Sequence, residues 1–93
     1  MENSEIKQVQ SIVVTNRKVL DIDGVKKLDS FDNKEFLIDT INGYVHVSGN
    51  ELTLGLMDME KGKLTINGVV NSVSYLAKNK TESKESFFAK LFK

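Results

Sequence analysis

Apolar and polar residues alternate with a period of two through the middle of this chain. Leu20-Asp21-Ile22-Asp23-Gly24, Val45-His46-Val47-Ser48-Gly49 and Leu64-Thr65-Ile66-Asn67-Gly68 each set two aliphatic side chains on one side of an extended backbone and two polar ones on the other. Because successive side chains of a strand point to opposite faces, these runs predict half-buried strands with one face on a core and one in water. Asn42-Gly43, between Glu35–Ile41 and Tyr44–Ser48, is a preferred two-residue hairpin signal of the type I′ turn, and it pairs those two strands antiparallel. Asp32-Asn33, Gly49-Asn50 and Lys61-Gly62 mark further reversals.

Strands thus recur about every ten residues with no helical stripe between them, the cadence of a sandwich or barrel. The spacing predicts seven or eight strands: Ser11–Thr15, Val19–Asp23, Val25–Phe31, Glu35–Ile41, Tyr44–Ser48, Glu51–Leu56, Lys63–Asn67 and Val69–Leu76. The expected fold is all-β, a small antiparallel β-sandwich. The two later glycine-bounded runs form a weak internal repeat, which leaves a β-solenoid as the competing architecture, although the spacing back to the first run is irregular.

After Leu76 the pattern stops. Residues 78–85, Lys-Asn-Lys-Thr-Glu-Ser-Lys-Glu, hold no aliphatic or aromatic side chain and read as a flexible charged linker. Residues 86–93, Ser-Phe-Phe-Ala-Lys-Leu-Phe-Lys, then gather three of the five phenylalanines. On a helix Phe88, Leu91 and Phe92 share a face, Phe87 meets Leu91 one turn on, and Lys90 and Lys93 lie opposite. The expected organisation is a lead at 1–10, a β domain at 11–77, the linker, and an amphipathic tail. Three uses of the tail stay open: capping the domain's own edge or open end, docking onto a protein partner, and weak insertion at an anionic membrane surface.

Charge sharpens this division. The whole chain has thirteen basic and thirteen acidic residues, which removes the general field that draws proteins to nucleic acid. Residues 1–77 nevertheless carry eight basic and eleven acidic side chains, and residues 78–93 carry five lysines and two glutamates. The body is negative and the tail positive.

Candidate chemistry is sparse. With no cysteine there is no disulfide, thiolate nucleophile or cysteine metal site, which suits a reducing, cytosolic compartment. His46 is the sole histidine, and its strand position reads as a solvated side chain opposite Val45 and Val47. Asp21 with Asp23, and Asp58 with Glu60, are paired carboxylates best read as a charged outer face. Met57 and Met59 read as packing residues, Phe31 and Phe36 as core anchors on either side of a turn, and Tyr44 and Tyr75 as strand tethers through their hydroxyls. Lys26-Lys27 and Arg17-Lys18 are isolated basic pairs without interleaved aromatics. No catalytic, cofactor-binding or metal site is expected. A β domain this small gains only about 3–5 kcal/mol from its core, which makes self-association through strand edges an economical supplement and predicts a homodimer or larger assembly.

The run Asn16-Arg17-Lys18-Val19-Leu20-Asp21-Ile22-Asp23-Gly24-Val25, followed by Leu28-Asp29-Ser30-Phe31-Asp32, resembles the opening of the YabP family of sporulation proteins. Phe36-Leu37-Ile38-Asp39-Thr40, Gly43, Val47-Ser48-Gly49, Leu52, Leu56, Glu60-Lys61-Gly62, Ile66-Asn67-Gly68 and Tyr75-Leu76 continue that resemblance in the same order and spacing. The closing Phe87-Phe88-Ala89-Lys90-Leu91-Phe92-Lys93 also looks like the tail of the family's YabP-type members, which its YqfC-type members need not share. The resemblance implies a non-enzymatic protein made in the mother cell, acting in assembly of the spore coat or cortex, with no catalytic residues to carry over. Read from the amphipathic tail, the docking residues would be Phe87, Phe88, Lys90, Leu91, Phe92 and Lys93; the partners would be other copies, other spore-morphogenesis proteins or the forespore membrane surface, and the charge balance leaves nucleic acid out. The alternative is a small ligand- or carbohydrate-binding domain using His46, Asn67 and Asn71 with Tyr44 or Tyr75 in a concave site.

Overall fold

The computed structural model describes residues 9–76. Six strands form one antiparallel sheet: β1 Ser11–Thr15, β2 Val19–Asp23, β3 Val25–Phe31, β4 Glu35–Thr40, β5 Gly43–Asp58 and β6 Lys63–Tyr75, in the order β1-β2-β6-β5-β4-β3. The all-β antiparallel expectation holds. Among the described residues the strand count is six because four expected strands are continuous in pairs: β5 absorbs Tyr44–Ser48 and Glu51–Leu56, and β6 absorbs Lys63–Asn67 and the expected Val69–Leu76 as far as Tyr75.

Glycine and bulges explain that merger. The β5–β6 ladder changes register between Ser48 and Gly49, between Asn50 and Thr53, and between Leu54 and Leu56. A bulge takes up extra residues and bends a strand without ending it. Gly68, which the sequence offers as a strand end, adopts a φ of 131°, and Glu51, just after the expected Gly49-Asn50 reversal, a φ of 53°; both serve here as bends within continuous strands.

The bends fold the single sheet over one core. The first part of β6 pairs with β2 and the first part of β5 pairs with β4, while β5 and β6 pair with each other on both sides of the bend. Leu20 and Ile22 of β2 therefore share a buried cluster with Phe36 and Ile38 of β4, together with Val45, Val47, Leu52, Leu64, Ile66 and Val70, although two strands separate β2 from β4 in the sheet. The layers come from one continuous sheet.

Two hairpin tips differ from the simplest expectation. Between β4 and β5 the loop is Ile41-Asn42, one residue earlier than the Asn42-Gly43 signal suggests, and Gly43 opens β5 at a φ of 112°. Thr40 Oγ1 closes this turn, donating to the Gly43 carbonyl at 2.6 Å and accepting from Asn42 N at 3.1 Å. The turn with two consecutive left-handed residues lies instead at Asn16 and Arg17, with φ of 54° and 58°, closed by Lys18 N donating to Thr15 O at 2.9 Å. That pair of positive φ angles is the type I′ requirement.

Candidate functional site

Three surfaces carry the features that bear on function. The first is the edge of the sheet at β1. Its sequence, Ser-Ile-Val-Val-Thr, has high β-propensity and no charge or proline, and Val13 is 55% and Val14 43% exposed. Its inner side pairs residue for residue with β2 from Ser11↔Asp23 to Thr15↔Val19, and it terminates the sheet. The opposite edge is built differently. β3 carries exposed Lys26 and Lys27 and breaks register twice against β4, between Val25 and Lys27 and between Leu28 and Ser30. Lysines and bulges are the ordinary guards of an exposed edge, and β1 has neither.

The second surface is the side of the β4–β5 ladder turned away from the core. Val45 and Val47 point inward, so Tyr44, His46 and Ser48 share the outer side with Glu35, Leu37 and Asp39 of β4. His46 is a correction to the expected solvated strand residue: it is 2% exposed, and its Nε2 lies 2.8 Å from Oε1 of Glu35, itself 7% exposed. Burying a carboxylate or an imidazole is costly unless each finds a partner, and these two meet that requirement together. The sequence places the two on neighbouring strands, yet strand alternation identifies only a face and not whether that face is covered.

The third surface is the outer side of the other half-sheet. Asp21 accepts from Thr65 Oγ1 at 2.7 Å, and Asp23 accepts from Lys63 Nζ at 2.5 Å and from Ser11 Oγ at 3.4 Å. Asp23 holds the pKa of Lys63 above the ordinary lysine value, first through its hydrogen bond and then through its charge. The carboxylate pair is thus engaged in cross-strand contacts, and among the described residues no cluster of three or more metal-ligating side chains occurs. Leu56, Met57 and Met59 are exposed, so of the two placements the alternation allows for the methionines, inward-facing or at an edge, the inward one is not taken; they lie at the far end of β5 and in the turn beyond it.

Of the expected core anchors, Phe36 is fully buried, while Phe31 stacks on it at a centroid distance of 4.9 Å and remains half exposed. Tyr75 tethers as expected, its hydroxyl donating to Gln10 Oε1 at 2.6 Å. Arg17 does more than an isolated basic residue: its Nε donates to the Val70 carbonyl at 3.0 Å and its Nη2 to Asn71 Oδ1 at 2.8 Å, fixing the β1–β2 tip to β6. The residues proposed for a concave ligand site do not converge. His46 and Tyr44 are buried on the β4–β5 outer side, Tyr75 has the inward register of Val45, its cross-strand partner, Asn67 is exposed on the other half-sheet, and Asn71 is bonded to Arg17. An open depression at one end, between Val9, Gly24, Ile41 and Met59, mixes apolar residues with the already paired Asp23 and Lys63. Phe87, Phe88, Lys90, Leu91, Phe92 and Lys93 lie outside the described residues.

The described residues thus form one folded-over antiparallel sheet in which the histidine and the Asp21–Asp23 pair are bonded to neighbouring strands and β1 carries neither lysine nor bulge. Comparison with known proteins makes this specific. The model of the YabP family matches residues 6–82, and the chain is 40% identical over 91 residues to "Spore protein YabP" of Bacillus subtilis (strain 168), covering 98% of this chain and 91% of that protein. The chain belongs to the YabP family, as the resemblance in Asn16–Val25 and beyond implies.

Proposed function

We propose that this chain is a non-enzymatic sporulation protein that helps build the outer layers of the spore, coat or cortex, by associating with copies of itself and docking through its C-terminal segment onto another component. Similarity to a protein named as a spore protein supports the sporulation role. The observation that carries assembly is the contrast between the two end strands of the sheet: β1 is short, uncharged and, among the described residues, unpaired on its outer side, whereas β3 carries Lys26, Lys27 and two register breaks. Strand addition along such an edge satisfies main-chain donors and acceptors without new side-chain chemistry.

In this reading two copies join through β1, which doubles the number of Phe87–Phe92 segments per particle. Two weak docking segments on one particle bind a multivalent surface far more tightly than either alone. The site of action is the mother cell, at the forespore surface, with protein partners preferred over nucleic acid because residues 78–93 carry their lysines beside three phenylalanines in so short a segment. Among the described residues no helix is long and apolar enough to cross a membrane.

The test is a fluorescent fusion followed in sporulating cells as wild type, as Val14→Lys and as Phe88→Ser/Leu91→Ser. Forespore recruitment is expected for the wild type, weakened for the edge variant and lost for the tail variant. Unchanged recruitment of both variants would contradict the proposal.

A further inference from the structure

The outer side of the β4–β5 ladder is more buried than the sheet can account for. Leu37 is 1% and Tyr44 6% exposed, flanking a His46–Glu35 pair that is equally secluded. None of these four belongs to the core cluster, and the six described strands all lie within the one sheet whose other side encloses that core. A side chain on the outside of a sheet loses its exposure only when something lies across it.

The seclusion is also narrow. Ser72 and Ser74, opposite Ser48 and His46 on β6, are exposed, and so are Ser30 and Lys27 on β3. Only β4 and the first part of β5, the two inner strands of this half of the sheet, are covered, a strip about 10 Å wide given the spacing of neighbouring strands, which is the footprint of a single helix or extended segment.

We propose that this strip is the docking site of the chain's own C-terminal segment, residues 86–93, with its apolar side chains against Leu37 and Tyr44 and its lysines toward the acidic β4 rim at Asp39. Three features select this occupant. The described chain leaves the sheet beside the strip, with Leu76 N donating to the Tyr44 carbonyl at 2.8 Å. The eight residues 78–85 reach about 26 Å when extended, against about 15 Å for crossing four strands. Charge agrees as well, since residues 78–93 carry three more basic than acidic side chains and residues 1–77 three fewer.

The N-terminal residues are the poorer fit. Gln10 is bonded to Tyr75, which has the inward register of Val45, so that end of the chain approaches from the core side of the sheet. Residues 1–8 moreover hold no aromatic side chain, only Met1 and Ile6 as apolar ones. The inference does not rest on the assembly reading. It adds that the docking segment of the free chain is held on its own domain and is presented to a partner only when displaced.

The chain lacks cysteine, so Lys93→Cys gives a single attachment point for a nitroxide on the full-length protein. The label is introduced in the Val14→Lys background, so that loss or persistence of edge association leaves the readout intact. Amide peaks of residues 35–39 and 44–48 are expected to lose intensity, with Val13, Asp21 and Thr65 spared, and Phe88→Ser/Leu91→Ser is expected to restore them. A mixture of labelled unenriched and unlabelled nitrogen-15 chains is expected to show no such loss. Absence of selective broadening, persistence in the Phe88→Ser/Leu91→Ser variant, broadening only in the mixed sample through a second copy's tail, or the same pattern from a label at Glu2→Cys instead would each overturn the proposal.

Discussion

Gly49 lies so close to β6 that a Cβ built on it would stand 2.0 Å from the Val69 carbonyl oxygen. The same crossing holds Gly68, where a Cβ would stand 2.5 Å from the Glu51 carbonyl oxygen at a φ of 131°. The two long strands bend together at this point, and only glycine on both allows their backbones to approach.

Gly49→Ala is therefore expected to cost more than the usual 1–3 kcal/mol or so of overpacking, because the obstacle is backbone and has no rotamer to yield. Gly68→Ala adds left-handed strain to a similar clash. Urea unfolding of each variant checks this; a midpoint unchanged from wild type for Gly49→Ala would show that the crossing is looser than described.

Much of this architecture was legible in the chain. The bounds of β2 follow from alternation and those of β1 and β3 from the ten-residue cadence of strands, and β4 with the first part of β5 follows from the Asn-Gly signal even though the tip is displaced by one residue. The merging of four strands into two was not legible, because Gly49 and Gly68 have the same local signature whether a strand ends or bends. Only the long-range pairing of β2 and β4 with opposite halves of β6 and β5 decides it. The burial of His46 was hidden for a related reason: alternation gives the face, and not whether that face is covered. Arg17 looked like an isolated surface cation because its partners lie more than fifty positions away.

Glu35 and His46 should be energetically coupled. Replacing either alone, by Glu35→Leu or His46→Leu, takes the 2.8 Å contact away from a buried polar group and is expected to cost about 1–3 kcal/mol. Replacing both is expected to cost less than the sum of the two, because the contact is then lost only once. A double-mutant cycle by chemical denaturation checks this, and strict additivity would show that the 2.8 Å contact carries no coupling.

Arg17 combines an unfavourable φ of 58° with two tethers to β6. Arg17→Ala keeps the backbone demand and loses both bonds, whereas Arg17→Gly loses the bonds and relieves the backbone. The alanine variant is accordingly expected to be the less stable, by about 1 kcal/mol. Equal midpoints for the two would remove the backbone part of this account.

Asp23 raises the pKa of Lys63 above the ordinary 10.5, so the pair favours the folded state while lysine is protonated and loses that effect as pH climbs from 10.5 through the raised value. Both groups are solvent-exposed to a large degree, so the change in stability is small and confined to alkaline solution. Asp23→Asn is expected to bring the Lys63 titration back toward the ordinary value, followed by the Cε chemical shift. A titration unmoved by Asp23→Asn would show that the contact is not populated in solution.

The central claim is self-association through β1, and the mass of the particle in solution tests it most directly. Gel filtration with light scattering at tens of micromolar is expected to give more than one chain per particle for the wild type and for Met59→Lys, which puts the same charge on an exposed position in the turn after β5, outside the strands. Val14→Lys, which gives β1 the lysine guard it lacks, is expected to give a folded monomer. A monomeric wild type, or a Val14→Lys particle of undiminished mass, would contradict the account.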